Sequence, residues 1–277
     1  MSLSLSACMT VHVSENNFIH PDSRSGVTIN EKFDDAELQR ALPGASLQKL
    51  TLDTTEAQVL QGVDVRQAAA RATVLYFGGN MFHIDNSARH VVSALGQCKV
   101  NVVMFDYRGY GRSSGEPGVI NMQSDALRIY DLVRAQTSGK LIVHGQSLGS
   151  FIAGHVAKNR PVDGLILEST ATNAHDWAMA TAPWFARPFI NIELSPAVQG
   201  IDNAAAVSSY HGPALVLVGD KDNVTPQHLG RKVFEALPGA SRRFVISPGG
   251  GHNGLLQRAD IMDAYCGFID TVKNTLP

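Results

Sequence analysis

Gly145-Gln146-Ser147-Leu148-Gly149 fits G-x-S-x-G, a spacing that sets a serine on a tight strand-to-helix turn. Two residues either side of such a serine the backbone passes close to itself, and glycine has no Cβ to clash there. The turn lifts the Ser147 hydroxyl clear of the sheet and points the first N–H groups of the next helix at whatever it attacks. A serine hydroxyl is a poor nucleophile near neutral pH and needs a base. Of ten histidines, His252 is the one in a late glycine-rich loop, Gly249-Gly250-Gly251-His252-Asn253. An imidazole base in turn needs a carboxylate to hold its tautomer and stabilise its charged form. Gly219-Asp220-Lys221-Asp222 follows an apolar run; Asp222 is the choice there and Asp220 the alternative. The chain order is then Ser147, Asp222, His252. Acyl chemistry at such a serine also needs N–H donors for an oxyanion. Leu148 N–H is the first. Gly78-Gly79-Asn80-Met81 supplies the second, with Asn80 N–H the expected donor and Met81 the runner-up.

These residues require a sheet whose strand ends carry them. Leu141–Val143 is a short apolar run suited to a strand buried on both faces, and a helix-compatible stretch, Phe151 to Asn159, follows the serine. Similar apolar strands are expected at Ala72–Phe77, Val100–Phe105, Val162–Leu167, Ala214–Val218 and Arg243–Ile246. Leu47–Asp53 alternates as an edge strand does, and Ala57–Val65 reads as its neighbour. Helices are expected over Asn86–Cys98, Met122–Ala135, through Val233–Leu237, and from about Gln257 to Val272. Strands alternating with helices predict an α/β fold with a mostly parallel sheet and helices on both faces. Ligands in such sheets bind beyond the carboxyl ends of the strands, where all the residues above fall. A glycine turn of a nucleotide-binding protein is the competing reading, but neither G-x-G-x-x-G nor G-x-x-x-x-G-K-[ST] stands at a strand end.

A chain of 277 residues suits one domain of this kind. Its net charge of −2 gives no reason to expect nucleic acid or an anionic membrane as partner. No apolar run reaches the ~18 residues of a transmembrane helix. Three cysteines, Cys8, Cys98 and Cys266, make no disulfide framework and no C-x-x-C zinc pair; Cys98 and Cys266 read as buried thiols on helices. Met1-Ser2-Leu3 reads as a cloning remnant. Leu5-Ser6-Ala7-Cys8 matches a bacterial lipobox, without the charged start and ~7–15 apolar residues of a signal peptide before it. The alternatives are a trimmed lipoprotein tethered outside the membrane through Cys8, or an ordinary N-terminus in a cytoplasmic protein. Residues 1–26 are accordingly expected as a tail, with Asn17–Gly26 irregular but for a Phe18-Ile19-His20-Pro21 stretch able to pack on the sheet edge, and 27–277 as the domain.

Gly78-Gly79-Asn80, Asp106-Tyr107-Arg108-Gly109-Tyr110-Gly111-Arg112-Ser113, Gly145 to Gly149, and Gly219 to Val224 with His252 together resemble the α/β-hydrolase superfamily. The likeness is to its serine-hydrolase branch with depalmitoylase-like and aminopeptidase-like members. The resemblance implies the α/β-hydrolase fold and a small cap at about 170–210, with a loop-fixing rather than catalytic use of Asp106 and Arg108. Where the family usually has His-Gly in the oxyanion loop, Gly78 takes the His position, so the family pattern does not supply this loop's anchor. Trp177, Trp184, Phe185 and Phe189 in the cap region either form an apolar lid over the site or pack on the sheet. Phe82 and His83 either line the pocket or begin the next helix. The expected activity is hydrolysis of carboxylic esters or thioesters through an acyl-enzyme, on a small-molecule or acyl substrate, with no metal or organic cofactor implied. The alternatives are a serine peptidase or aminopeptidase and, from another class, a non-catalytic hydrolase-like binding module. Ser at position 147 disfavours chemistry that uses an Asp nucleophile.

Overall fold

The computed structural model describes residues 9–29 and 31–274; Cys8 and the lipobox-like residues before it lie outside these. The strands are β1 (Met9–Val13), β2 (Ser46–Asp53), β3 (Val59–Arg66), β4 (Thr73–Phe77), β5 (Asn101–Phe105), β6 (Leu141–Gln146), β7 (Gly164–Glu168), β8 (Ile190–Leu194), β9 (Ala214–Gly219) and β10 (Arg242–Ser247). The helices are α1 (Asp22–Ser25), α2 (Asp35–Ala41), α3 (Ile84–Gly96), α4 (Val119–Gln136), α5 (Leu148–Asn159), α6 (Ala174–Thr181), α7 (Pro196–Gln199), α8 (Asn203–Val207), α9 (Gln227–Ala236) and α10 (Ala259–Asn274).

Eight strands form one sheet in the order β10-β9-β7-β6-β4-β5-β3-β2. It is parallel from β10 to β5, and β3 and β2 run antiparallel at the far end. The apolar runs explain the layers. Successive strand residues face opposite sides, so Leu75, Val143, Leu167 and Val216 join one core with α4, α5, α8 and α9. Their neighbours Val74, Ile142, Ile166 and Leu215 join a second core with α2, α3 and α10. Both faces are thus covered, as near-continuous apolar strands require. The chain passes from β4 outward to β5 and returns across β4 to β6. That reversal opens a crevice at the carboxyl ends of β4 and β6.

Two expectations need correction. Cys98 and Cys266 are not free thiols: they form a disulfide with Cα atoms 4.9 Å apart and 168 residues between them in sequence. Cys98 lies in the turn after α3 rather than in the helix, and packing of α10 beside that turn brings the sulfurs together. Residues 9–25, read as tail, belong to the domain. β1 pairs in parallel with β8, and Val13 and Ile19 are buried. The segment is also held by polar contacts: Glu15 Oε1 accepts Val119 N–H at 2.7 Å, and Asp22 Oδ2 accepts Gly111 N–H at 2.8 Å. The polar partners, Val119 and Gly111, lie 104 and 89 residues further along the chain, so the local sequence does not show them. Between β7 and β9 lie α6, a 3-10 turn at Arg187–Phe189, β8, α7 and α8. Among the described residues no helix is long and apolar enough to cross a membrane.

Candidate active site

Ser147 stands between β6 and α5 with φ 53° and ψ −117°, a strained conformation for a residue with a Cβ. A Cβ on Gly145 would run into the Gly149 carbonyl, and one on Gly149 into the Phe77 carbonyl. The G-x-S-x-G spacing is therefore a steric requirement of this turn. Ser147 N–H donates to the Glu168 carbonyl at 2.9 Å, which ties the turn to β7.

The serine Oγ is 2.9 Å from His252 Nε2, and His252 Nδ1 is 2.9 Å from Asp222 Oδ2. The network assigns the proton: Nδ1–H donates to the carboxylate, leaving Nε2 to accept from the serine. Asp222 arrives on the loop after β9 and His252 on the loop after β10. The carboxylate is fully buried and the imidazole largely so. Asp222 Oδ1 accepts the N–H groups of Val224 and Thr225, each at 2.8 Å. The Thr225 hydroxyl lies 2.8 Å from Oδ2 and 3.2 Å from His252 Nδ1. Burial pushes the Asp222 carboxylate up, but its hydrogen bond and electrostatic attraction to His252 and the Thr225 contacts outweigh it, holding the group below the ordinary carboxylate range. Asp220 is placed elsewhere: it is exposed and its Oδ1 accepts Gly249 N–H at 2.7 Å. It fixes the loop that carries His252 and does not touch the ring.

Leu148 is the first residue of α5, where a helix N–H has no intrahelical acceptor. It and Asn80 line the same cavity as Ser147. The anchor that the glycine loop lacks comes from two other segments. Asn80 Oδ1 accepts His20 N–H and the Tyr110 hydroxyl, each at 3.0 Å, and Asn80 Nδ2 is 2.9 Å from His20 Nδ1. Tyr107 OH donates to the Gly78 carbonyl at 2.8 Å. Met81, the other donor considered, has φ 60° and an exposed side chain. His20, Tyr107, Tyr110 and Thr225 were missed by sequence reasoning; for the two tyrosines the D-Y-R-G-Y-G run was an available signal.

The same run is fixed by its charges. Asp106 is fully buried and accepts Ile84 N–H at 2.8 Å and Arg112 N–H at 3.0 Å. Arg108 clamps Asp125 with two hydrogen bonds, at 2.6 and 2.8 Å. Neither reaches the serine.

The cavity above Ser147 has a volume of about 270 Å³. Its apolar walls include Phe18, Leu148, Phe151, Trp177 and Ile201, and Phe18 and Trp177 pack at a tilt of 52° with centroids 4.6 Å apart. The cap aromatics divide. Trp177 lines the cavity, whereas Trp184, Phe185 and Phe189 are 79%, 63% and 49% exposed and neither cover the site nor pack on the sheet. The N-terminal segment, through Phe18, takes the covering role instead. His83 caps α3 as the residue just before it and pairs with Asp22 at 2.6 Å, away from the cavity.

The sequence profile of the family described as serine aminopeptidase, S33 matches residues 68–211, just over half of the chain. The chain belongs to this family, within the α/β-hydrolase superfamily. It is 29% identical over 191 residues to an uncharacterized protein of Mycobacterium tuberculosis, covering 67% of this chain and 66% of that protein. It is 32% identical over 195 residues to the mouse lysophosphatidylserine lipase ABHD12, covering 64% of this chain and 48% of the lipase. The chain thus spans between about half and two thirds of these relatives' lengths. In fold it is similar to an esterase of Pyrococcus furiosus, with a TM-score of 0.68 at 16% identity over 87% of this chain and 96% of that one.

Proposed function

We propose that the protein is a serine hydrolase that cleaves carboxylic esters or thioesters, with Ser147 as nucleophile, His252 as base and Asp222 as orienting carboxylate. The observation that carries this reading is the unbroken chain Ser147 Oγ, His252 Nε2, His252 Nδ1, Asp222 Oδ2 with both hydrogen bonds 2.9 Å long. Ser147 gives its proton to Nε2 as Oγ bonds to the carbonyl carbon, and the electron pair moves to the carbonyl oxygen. The Leu148 and Asn80 N–H groups receive that oxyanion. Its collapse expels the alcohol or thiol, which takes the proton from Nε2, and water then releases the acyl group by the same steps. General-base help of this kind contributes ~10²–10⁴-fold. The apolar cavity supports an acyl group as the part of the substrate beside Ser147. The naming of one relative as a lipase favours esters.

An aminopeptidase is the second reading, favoured by the description of the family itself. A panel of p-nitrophenyl esters of rising chain length, set against aminoacyl p-nitroanilides, separates the two. The account expects turnover of the esters that is lost in Ser147→Ala; turnover of the anilides alone assigns the peptidase. No turnover of either supports the binding module. The Cys98–Cys266 bond supports residence in an oxidising compartment, in keeping with a chain tethered outside the cytoplasm through Cys8.

A further inference from the structure

A cavity of about 550 Å³ adjoins the one above Ser147 and is lined by Asn16, Ile19, His20, Arg24, Ser25 and Met81. His20 and Met81 line both cavities, which sets the second beside the Gly78–Met81 loop. Every wall residue but Met81 comes from the N-terminal segment, the part of the chain that buries Val13 and Ile19 against the domain. No aspartate or glutamate lines it.

The polar groups of this cavity are arranged as donors. The Arg24 guanidinium hydrogen-bonds the uncharged side-chain oxygen of Asn16, and among the described residues no carboxylate pairs with it. The nearest acid in sequence, Asp22, is engaged elsewhere: its Oδ1 is 2.6 Å from His83 Nε2 and its Oδ2 accepts Gly111 N–H at 2.8 Å. Asn80 fixes the proton on the His20 ring. Asn80 Oδ1 accepts His20 N–H and the Tyr110 hydroxyl, so Asn80 Nδ2 is the donor to His20 Nδ1 at 2.9 Å, and the ring carries its N–H at Nε2. Ser25 Oγ accepts Val27 N–H at 3.4 Å, which leaves the hydroxyl hydrogen to donate. An arginine whose partner is uncharged, an imidazole N–H and a hydroxyl, with no acid among them, suit an oxyanion, and the planar donors of a guanidinium match a phosphate.

We propose that this second cavity is a subsite for a phosphate group, held by Arg24 with His20 and Ser25, on the leaving-group side of a substrate whose acyl part fills the cavity above Ser147. The substrate class is then an acyl ester or thioester whose alcohol or thiol carries a phosphate. The assignment to substrate rests on the hydrolase reading; the binding of phosphate does not require turnover.

Calorimetry on the full chain with hexyl phosphate, 1-hexanol and inorganic phosphate tests it. None of the three is a carboxylic ester, so the outcome is independent of whether Ser147 is the nucleophile. Hexyl phosphate is expected to bind at least ~10-fold more tightly than 1-hexanol, the scale of a hydrogen bond to a charged group. It is also expected to bind more tightly than inorganic phosphate, because its chain reaches the apolar cavity. The preference over 1-hexanol falls below ~3-fold in Arg24→Gln, returns in part in Arg24→Lys, and shrinks as salt is raised. Arg24 is exposed, so its replacement leaves the fold intact, and Arg243→Gln, at another exposed arginine, on β10, keeps the preference. Equal affinity for hexyl phosphate and 1-hexanol in the unaltered protein, or a loss in Arg243→Gln as large as that in Arg24→Gln, overturns the proposal. Inorganic phosphate bound as tightly as hexyl phosphate overturns the assignment to substrate and leaves a site for the free anion.

Discussion

At the scale of single residues, the two aspartates after β9 separate cleanly by what they touch. Asp222 meets the imidazole, whereas Asp220 holds the Gly249 amide. Asp222→Asn is therefore expected to lower kcat on a turned-over ester by ~10⁴-fold, because the amide favours the wrong tautomer of His252. Asp220→Asn should lower it by less than ~10-fold; comparable losses in the two would reverse the assignment. In the proposed oxyanion hole Asn80 serves through its side chain as well as its backbone, since His20 N–H and the Tyr110 hydroxyl both bond to that side chain. Asn80→Ala keeps the N–H donor but frees the loop, and a displacement of about 1 Å there costs up to ~10²-fold. The expected result is a fall in kcat with KM little changed. Sequence order could identify Ser147, His252 and a choice of two carboxylates, because each sits on a local glycine-rich turn with its own pattern. The grip of His20 on Asn80, 60 residues away, leaves no local pattern to read.

The elements that position the site are held by buried charge. Asp106, at the end of β5, is pushed up to about pKa 6; burial raises it, and the hydrogen bonds from Arg112 and Ile84 only partly offset that. The sign follows from proton uptake. Between the ordinary carboxylate pKa and about 6 the folded chain binds this proton and the unfolded chain does not, so stability falls as pH rises through that window. The full effect of such a shift is about 3 kcal/mol. Urea unfolding of the unaltered protein and of Asp106→Asn, at pH 4 and pH 7, should show the unaltered protein losing ground to the variant at the higher pH. A constant gap between them would contradict the assignment. Most elements were legible from the chain alone, because apolar runs such as Val100–Phe105 and Leu141–Val143 declare strands buried on two faces. The cap was less so. Its aromatics are spaced as on a helix, but Pro183 and Pro188 interrupt any helix that would carry them, and the segment that covers the cavity beside Trp177 is the N-terminal one, through Phe18.

Across the whole molecule, the Cys98–Cys266 bond closes most of the chain into one loop. Cys98 precedes β5, so the bond lies at the amino end of the strands, opposite the site. Replacing both cysteines by serine is expected to cost ~2–5 kcal/mol of stability while leaving kcat near its original value; unchanged denaturant midpoints would show that the bond does not form in solution. Two cysteines so far apart in sequence give no spacing signal, which is why their pairing emerged only with the fold. The central claim is the reactivity of one hydroxyl at the crevice between β4 and β6. Labelling with a fluorophosphonate, read by the mass of the peptide containing Ser147, measures it directly. The account predicts a single phosphonyl adduct on Ser147, absent from Ser147→Ala and from His252→Ala. A folded, unaltered protein that takes no label, or a Ser147→Ala variant that still does, would contradict it.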